Sequence, residues 1–288
     1  MARAIRALVI YHNMFNVGNR AAPKTRLEET PKEAFMARRK SALKMVDPER
    51  SEAPTRRNRV NLFELAYQRI EELLVNCQLK PGRFLTVQEL QTVTGYGRTP
   101  VHSAVNRFAA DTLIMIRPRH GLQIAPVDLA RERLLLGLRR DMERFVIRLA
   151  AERASLSHRN QMLHIERALG ERRTTASIDA FNKLDRRIDA LILDASGEPF
   201  LAHTMRPLHT IYRRIGFIYH RLLPGHTDLT GTIDRHAAIL NAVANRCPEN
   251  AVKASDELMS FMDSMFVEME AGLEPSLLDC SIEPLPGT

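Results

Sequence analysis

The chain has 288 residues, 44% of them hydrophobic, with 42 Lys/Arg against 34 Asp/Glu and a net charge of +8. The cysteines Cys77, Cys247 and Cys280 form no Cys-x-x-Cys pattern, which argues against a disulfide framework and a zinc ribbon and points to a reducing cytoplasm. No apolar run approaches the roughly 20 residues of a membrane span, so no membrane partner is expected. The basic excess is uneven: residues 1–58 hold 13 Lys/Arg against 6 Asp/Glu, residues 59–127 hold 8 against 5, and residues 128–288 hold 21 against 23. This suits a polyanion-binding front attached to a near-neutral domain with another task.

Residues 1–58 mix prolines with charges of both signs and show no sustained periodicity, so a basic, disordered extension is expected there. From residue 59 to 127 the pattern becomes a compact helical unit with a hairpin. In "NLFELAYQRIEELLVNC" the residues Leu62, Leu65, Ala66, Ile70, Leu73 and Leu74 recur at helical spacing and predict one buried stripe. The chain turns at Pro81-Gly82. Thr86 with Glu89 three residues later reads as a capping box that starts a second helix, which ends at Gly95-Tyr96-Gly97. A third helix is predicted with Thr99 as N-cap and Pro100 at its first position.

On that helix Val101, Ala104, Val105 and Phe108 fall on one face and must meet the core. Arg98, Thr99, His102, Ser103 and Asn106 are left on the other, a polar face without carboxylates that suits phosphate and base edges in a DNA major groove. "LIMIRPR" then reads as a strand, His120-Gly121 as its turn and "LQIAPV" as the return strand. Arg117, Arg119, His120 and Gly121 make a basic tip, placed where a wing meets DNA backbone or minor groove. The unit is a winged helix-turn-helix.

These residues resemble the GntR-type bacterial transcription regulators. "GYGRTPVHSAVNRFAADTLIMIRPRHGLQI" follows the family's winged-helix pattern along its length, and "LKPGRFLTVQEL" follows the segment before it. The resemblance implies that Arg98 contacts DNA bases or phosphates, that Thr99 contacts phosphate, and that His120 and Gly121 form the wing tip. Gln88, Gly97 and His102 depart from the residues common in relatives, which implies weaker phosphate binding or a different operator.

From Asp128 onward six helical patterns follow one another, and the expected architecture is an all-α antiparallel bundle over 128–275 with a flexible tail at 276–288. "LRRDMERFVIRLAAERA" resembles the first helix of the effector-binding FCD bundle in the FadR-like branch of that family. The resemblance implies a homodimer on a pseudo-palindromic operator and a pocket arginine, Arg139, that reads the carboxylate of an organic-acid effector. It also implies a divalent metal such as zinc, nickel or manganese. Asp185 matches the family's aspartate ligand, His236 matches one histidine, Asp189 stands where another histidine belongs, and Leu258 replaces a third. His203, His209 and His220 are read as surface or interhelix hydrogen-bonding residues.

The leading expectation is therefore an operator-binding regulator without enzymatic activity. The alternatives are a metal-dependent enzyme built on Asp185, Asp189 and His236, against which stands the absence of a nucleophile elbow or phosphate loop, and a partner-binding bundle whose winged helix has lost DNA affinity.

Overall fold

The protein is described from a computed structural model over residues 61–283; the extension expected at 1–58 lies outside the described residues. Helix α1 (Leu62–Val75) is capped by Asn61 Oδ1, which accepts from Glu64 N at 3.4 Å. Ala66, Ile70, Leu73 and Leu74 are buried as the stripe predicts, but Leu62 and Leu65 stand 56% and 37% exposed. The buried arc is instead rotated toward Tyr67 and Glu71. The Tyr67 ring stacks on Phe108 at 4.3 Å, and the bundle covers the side of Glu71.

The predicted turn after α1 also contains a two-residue strand, β1 (Phe84–Leu85), followed by α2 (Val87–Thr94). The capping box is formed: Thr86 N donates to Glu89 Oε2 at 2.6 Å and Glu89 N to Thr86 Oγ1 at 3.1 Å. Gly95, at φ 76°, ends α2 in the left-handed region. Helix α3 (Arg98–Ala110) starts earlier than the Thr99 cap implies, with Gly97 as an N-cap that has no side chain to bond the first amides. Strands β2 (Ile114–Arg117) and β3 (Gly121–Ile124) form the hairpin, and β3 lies between β1 and β2. Arg117 pairs with Gly121, so the turn is Pro118, Arg119 and His120 rather than His120-Gly121. A Cβ at Gly121 would lie 2.9 Å from the Leu85 carbonyl oxygen, and its φ of 84° is also one that side chains disfavour.

The bundle comprises α4 (Leu129–Arg153), α5 (Leu156–Glu171), α6 (Ile178–Ser196), α7 (Pro199–Phe217, continued by a π turn at Ile218–Leu222), α8 (Thr230–Ala244) and α9 (Pro248–Gly272). Helix α4 packs on α9 and α6, and α8 packs on α5 and α9. The tail expected to be flexible is corrected for residues 276–283. After the short α10 (Pro275–Leu278), Leu278 O accepts from Val127 N at 2.8 Å and Cys280 N donates to Pro81 O at 2.9 Å, tying the C-terminal segment to the winged helix.

The junction is held from the bundle side as well. Arg214 on α7 donates two bonds of 3.1 Å to Ala125 O just after the wing. Within the bundle, Tyr212 OH donates to Glu132 O at 2.7 Å near the start of α4. The Glu132 side chain is buried, and its Oε2 has no hydrogen-bond partner among the described residues. Burial pushes its carboxyl up to about 7; Arg214 and Arg131 oppose that, and Asp128 adds to it. Because the folded value lies above the unfolded one, folding favours the protonated form: the native state is spared this cost below the unfolded value and loses stability as pH rises through 7. Glu132→Gln removes the titration, so it should be more stable than wild type by up to roughly 3 kcal/mol at pH 8 and nearly equal at pH 4.5, measured by urea unfolding at both pH values.

Candidate DNA-binding face and effector cavity

The α3 face forms because its apolar residues point inward: Val101, Ala104, Val105 and Phe108 are buried. Arg98, Thr99, His102, Ser103 and Asn106 are exposed together on the opposite side, with Pro100 half-buried between them. No acidic residue lies in the first turn, so its free amides and the helix dipole add to the charge of Arg98 in favouring an anion. Asn106 Nδ2 and His102 Nδ1 lie 3.3 Å apart, one turn from each other. On the wing, Arg117 Nε donates to Gln123 Oε1 at 2.9 Å, which lays that side chain along the strand. Arg119 adopts φ 66° at the turn, and Arg119, His120 and Gly121 are exposed.

The expected Arg139, Asp185, Asp189 and His236 converge inside the bundle, together with residues not singled out as site residues. Arg139 and Glu143 on α4, Asp185 and Asp189 on α6, His209 and Arg213 on α7 and His236 on α8 meet around a cavity and the groove beside it. Arg139 Nε donates to Glu143 Oε1 at 3.1 Å, and its guanidinium lies 4.8 Å from the Tyr212 ring centroid. Its Nη1 meets the Met262 sulfur at 3.6 Å, a weak acceptor. Glu143 also faces His209 Nε2 at 2.9 Å. Burial opposes the charge on Glu143, but His209 and Arg139 outweigh it and hold the carboxyl at about 2. The cavity, about 40 Å³, is lined among others by Arg139, Asp185, Arg213, His236 and Leu258.

The expected metal ligands do not fit a cation as they are arranged. His236 Nδ1 lies 2.7 Å from Thr232 O and Nε2 lies 3.2 Å from Asp185 Oδ1. Both ring nitrogens therefore face acceptors, which favours the imidazolium, whereas ligation needs a bare nitrogen. Burial works against that charge, but Asp185, the Thr232 carbonyl and Asp189 prevail and raise the His236 pKa. Asp189 Oδ2 accepts from Arg213 Nη1 at 2.7 Å, so a guanidinium already stands at this carboxylate. Leu258 is buried and offers no donor atom. Among the described residues no three His, Cys, Asp or Glu side chains come together as a metal site.

The residues that sequence reasoning missed are Glu71 and Arg213. Arg213 Nη2 donates to Glu71 Oε1 at 2.7 Å, and Thr210 Oγ1 donates to the same oxygen. Arg186 Nη1 lies 3.6 Å from Glu71 Oε2. Glu71 belongs to the winged helix and the others to the bundle, so the polar cluster crosses the junction. The sequence signal was slight: a glutamate inside the buried arc of α1, and His209 with Arg213 at i, i+4.

Residues 62–124 match the bacterial regulatory proteins of the gntR family, and residues 135–261 match the FCD domain. The HTH-type transcriptional repressor RspR of Escherichia coli is 26% identical over 155 residues, which are 53% of this chain and 67% of that protein. An uncharacterized HTH-type regulator of Shigella flexneri, YdfH, matches with the same 26% identity and coverage. Among solved structures, Escherichia coli McbR/YncC has a TM-score of 0.63 at 18% identity, covering 73% of this chain and 99% of its own. A GntR-type regulator from Rhodococcus has a TM-score of 0.55 at 14% identity, covering 74% of this chain and 100% of its own; at such identities these likenesses speak for the fold. With a winged helix and a helical bundle each matched in its own right, the chain belongs to the GntR family of bacterial regulatory proteins, in the branch that carries an FCD domain, and is a DNA-binding transcriptional regulator.

Proposed function

We propose that the protein is a homodimeric repressor whose affinity for a pseudo-palindromic operator is set by a small organic carboxylate held in the bundle. The observation that carries the effector reading is Arg139. It is buried, oriented through Nε by Glu143 and stacked on Tyr212, while its Nη1 has only the Met262 sulfur within reach among the described residues. A guanidinium held in this way is ready to bond a planar carboxylate. DNA binding rests on the acid-free face at the start of α3, with Arg98 as the base or phosphate contact and the wing beside it.

The dimer reading is supported by α4. Leu134, Leu138 and Phe145 recur on one side of it and stand 78%, 53% and 56% exposed, an apolar stripe that a second copy would cover. A C2 dimer would present two winged helices to two operator half-sites, and a change in their spacing on effector binding would change affinity.

Arg98→Ala should weaken binding to the operator by roughly 10- to 100-fold while leaving the dimer intact, measured by fluorescence anisotropy with DNA from upstream of the gene against scrambled DNA. Affinity unchanged in that variant would remove Arg98 from the interface. Phe145→Asp should give a monomer by light scattering and lose operator affinity together with the dimer; a dimeric variant would place the interface elsewhere.

A further inference from the structure

Arg213 occupies a singular position. It lines both the cavity inside the bundle and a groove of about 350 Å³ at the junction with the winged helix, whose lining includes Tyr67, Glu71, Arg187, Asp189 and Arg206. The groove is large enough for a small metabolite; the inner cavity alone has room for a few waters. The guanidinium itself is buried and spans two carboxylates, Asp189 on its own side of the junction and Glu71 from α1 on the other, each at 2.7 Å.

The partners of Glu71 all belong to the bundle. It receives Arg213 Nη2 and Thr210 Oγ1 on one oxygen and lies near Arg186 on the other. A guanidinium edge, a hydroxyl and a second cation around one carboxylate are what a site for an organic acid would offer. Here a residue of the DNA-binding domain fills it. Next to it His209 Nδ1 is buried without a hydrogen-bond partner among the described residues, its nearest acceptor being Asp189 Oδ2 at 3.4 Å. The surroundings favour replacement of Glu71 over simple departure. If α1 moved off, Arg213 Nη2 would keep only the long 3.4 Å contact to Thr210 Oγ1, with Asp189 on the other nitrogen, and a buried guanidinium edge without its carboxylate is costly. An incoming carboxylate removes that penalty.

We propose that Arg213 is a carboxylate-binding site whose internal occupant is Glu71, and that a small organic carboxylate entering the junction groove takes the place of Glu71. Ligand binding at Arg213 and docking of α1 on the bundle then exclude one another. This deepens the effector reading proposed above by adding a second arginine and a competitor built into the chain. It makes Glu71 the residue through which occupancy of the bundle reaches the winged helix.

The test uses the full chain without DNA and acetate as the probe. Thermal unfolding is followed while acetate replaces chloride at constant ionic strength, in wild type, Glu71→Ala and Glu71→Ala/Arg213→Met. In chloride, Glu71→Ala should melt roughly 5–10 °C below wild type. Acetate should restore much of that loss, with an apparent affinity at least about tenfold tighter than for wild type because the competitor is gone. The double variant should show no specific response. If Glu71→Ala does not fold, Glu71→Gln, whose neutral amide is a weaker occupant of the site than a carboxylate, should still respond to acetate at a lower concentration than wild type. Equal responses to acetate and chloride in the single variant, equal acetate responses in wild type and variant, or rescue that persists without Arg213 would each overturn the proposal. A chain with no operator affinity would give the same melting curves, so this result and the DNA-binding result stand or fall separately.

Discussion

The arrangement of the molecule turns on the contact between Glu71 and Arg213. Both side chains are buried, they come from different domains, and 142 residues separate them in sequence. A buried ion pair contributes little net stability, because the desolvation of two charges consumes most of their attraction. Its strength lies in the asymmetry: the pair made is nearly neutral, and the pair broken leaves a charge stranded. That asymmetry fixes how α1 sits on the bundle more sharply than apolar packing would, since an apolar surface can slide at small cost and a guanidinium edge cannot. The neighbouring contacts repeat the logic. Arg214 holds the exit of the wing through Ala125 O, and the C-terminal segment bonds to Val127 and Pro81. The winged helix is thus anchored through polar groups that a ligand or a change of charge can address.

This bears on what the bundle offers in place of a metal. Asp185 and His236 form a charged pair, with His236, Arg213 and Arg139 together overcoming burial to hold the Asp185 carboxyl at about 2. Asp189 sits against Arg213, where the family pattern has a histidine. The positive charge at this spot is therefore supplied by the chain itself. A guanidinium cannot be lost by chelation and does not exchange, but it is directional, and it can serve a second carboxylate only through its free edge. In this chain that edge is turned to Glu71, which places the chemistry of the cavity and the position of the DNA-binding domain in one hydrogen-bond network.

Much of this was legible in the sequence wherever the signal was local. The apolar face of α3, the Thr86–Glu89 capping box and the six bundle helices depend on contacts within a turn or two, so periodicity and cap residues disclosed them. The errors also have physical causes. Thr99 resembles an N-cap, but Gly97 fits the extended geometry at that position and the helix begins at Arg98. His120-Gly121 resembles a tight turn, but the close approach of Gly121 to Leu85 O requires the glycine to lie inside the strand pairing, which shifts the turn to Pro118–His120. Leu62 and Leu65 fit the helical stripe, and only the bundle packed against α1 shows that the buried arc is rotated away from them toward Tyr67 and Glu71. Strand β1 is two residues long, too short for any alternation to reveal it.

The site was legible in its parts and not in its connections. Arg139, Asp185, Asp189 and His236 were singled out because a family pattern marks them, and they do converge. Their partners could not be inferred, because an ion pair between Glu71 and Arg213 leaves no periodic trace and each residue alone looks like an ordinary charge on a helix. A glutamate within an apolar arc is the one trace that remains: a buried carboxylate either takes up a proton, as burial favours at Glu132, or meets a cation from another element, as Glu71 does. Helices α6 and α7 carry five arginines that could take that role, Arg186, Arg187, Arg206, Arg213 and Arg214. Arg213 prevails because α7 directs it inward beside Thr210, whereas Arg214, the next residue and about 100° around the helix, is aimed at the linker. The spacing of one residue on α7 thus assigns one arginine to the backbone of the linker and the other to the carboxylate of the DNA-binding domain.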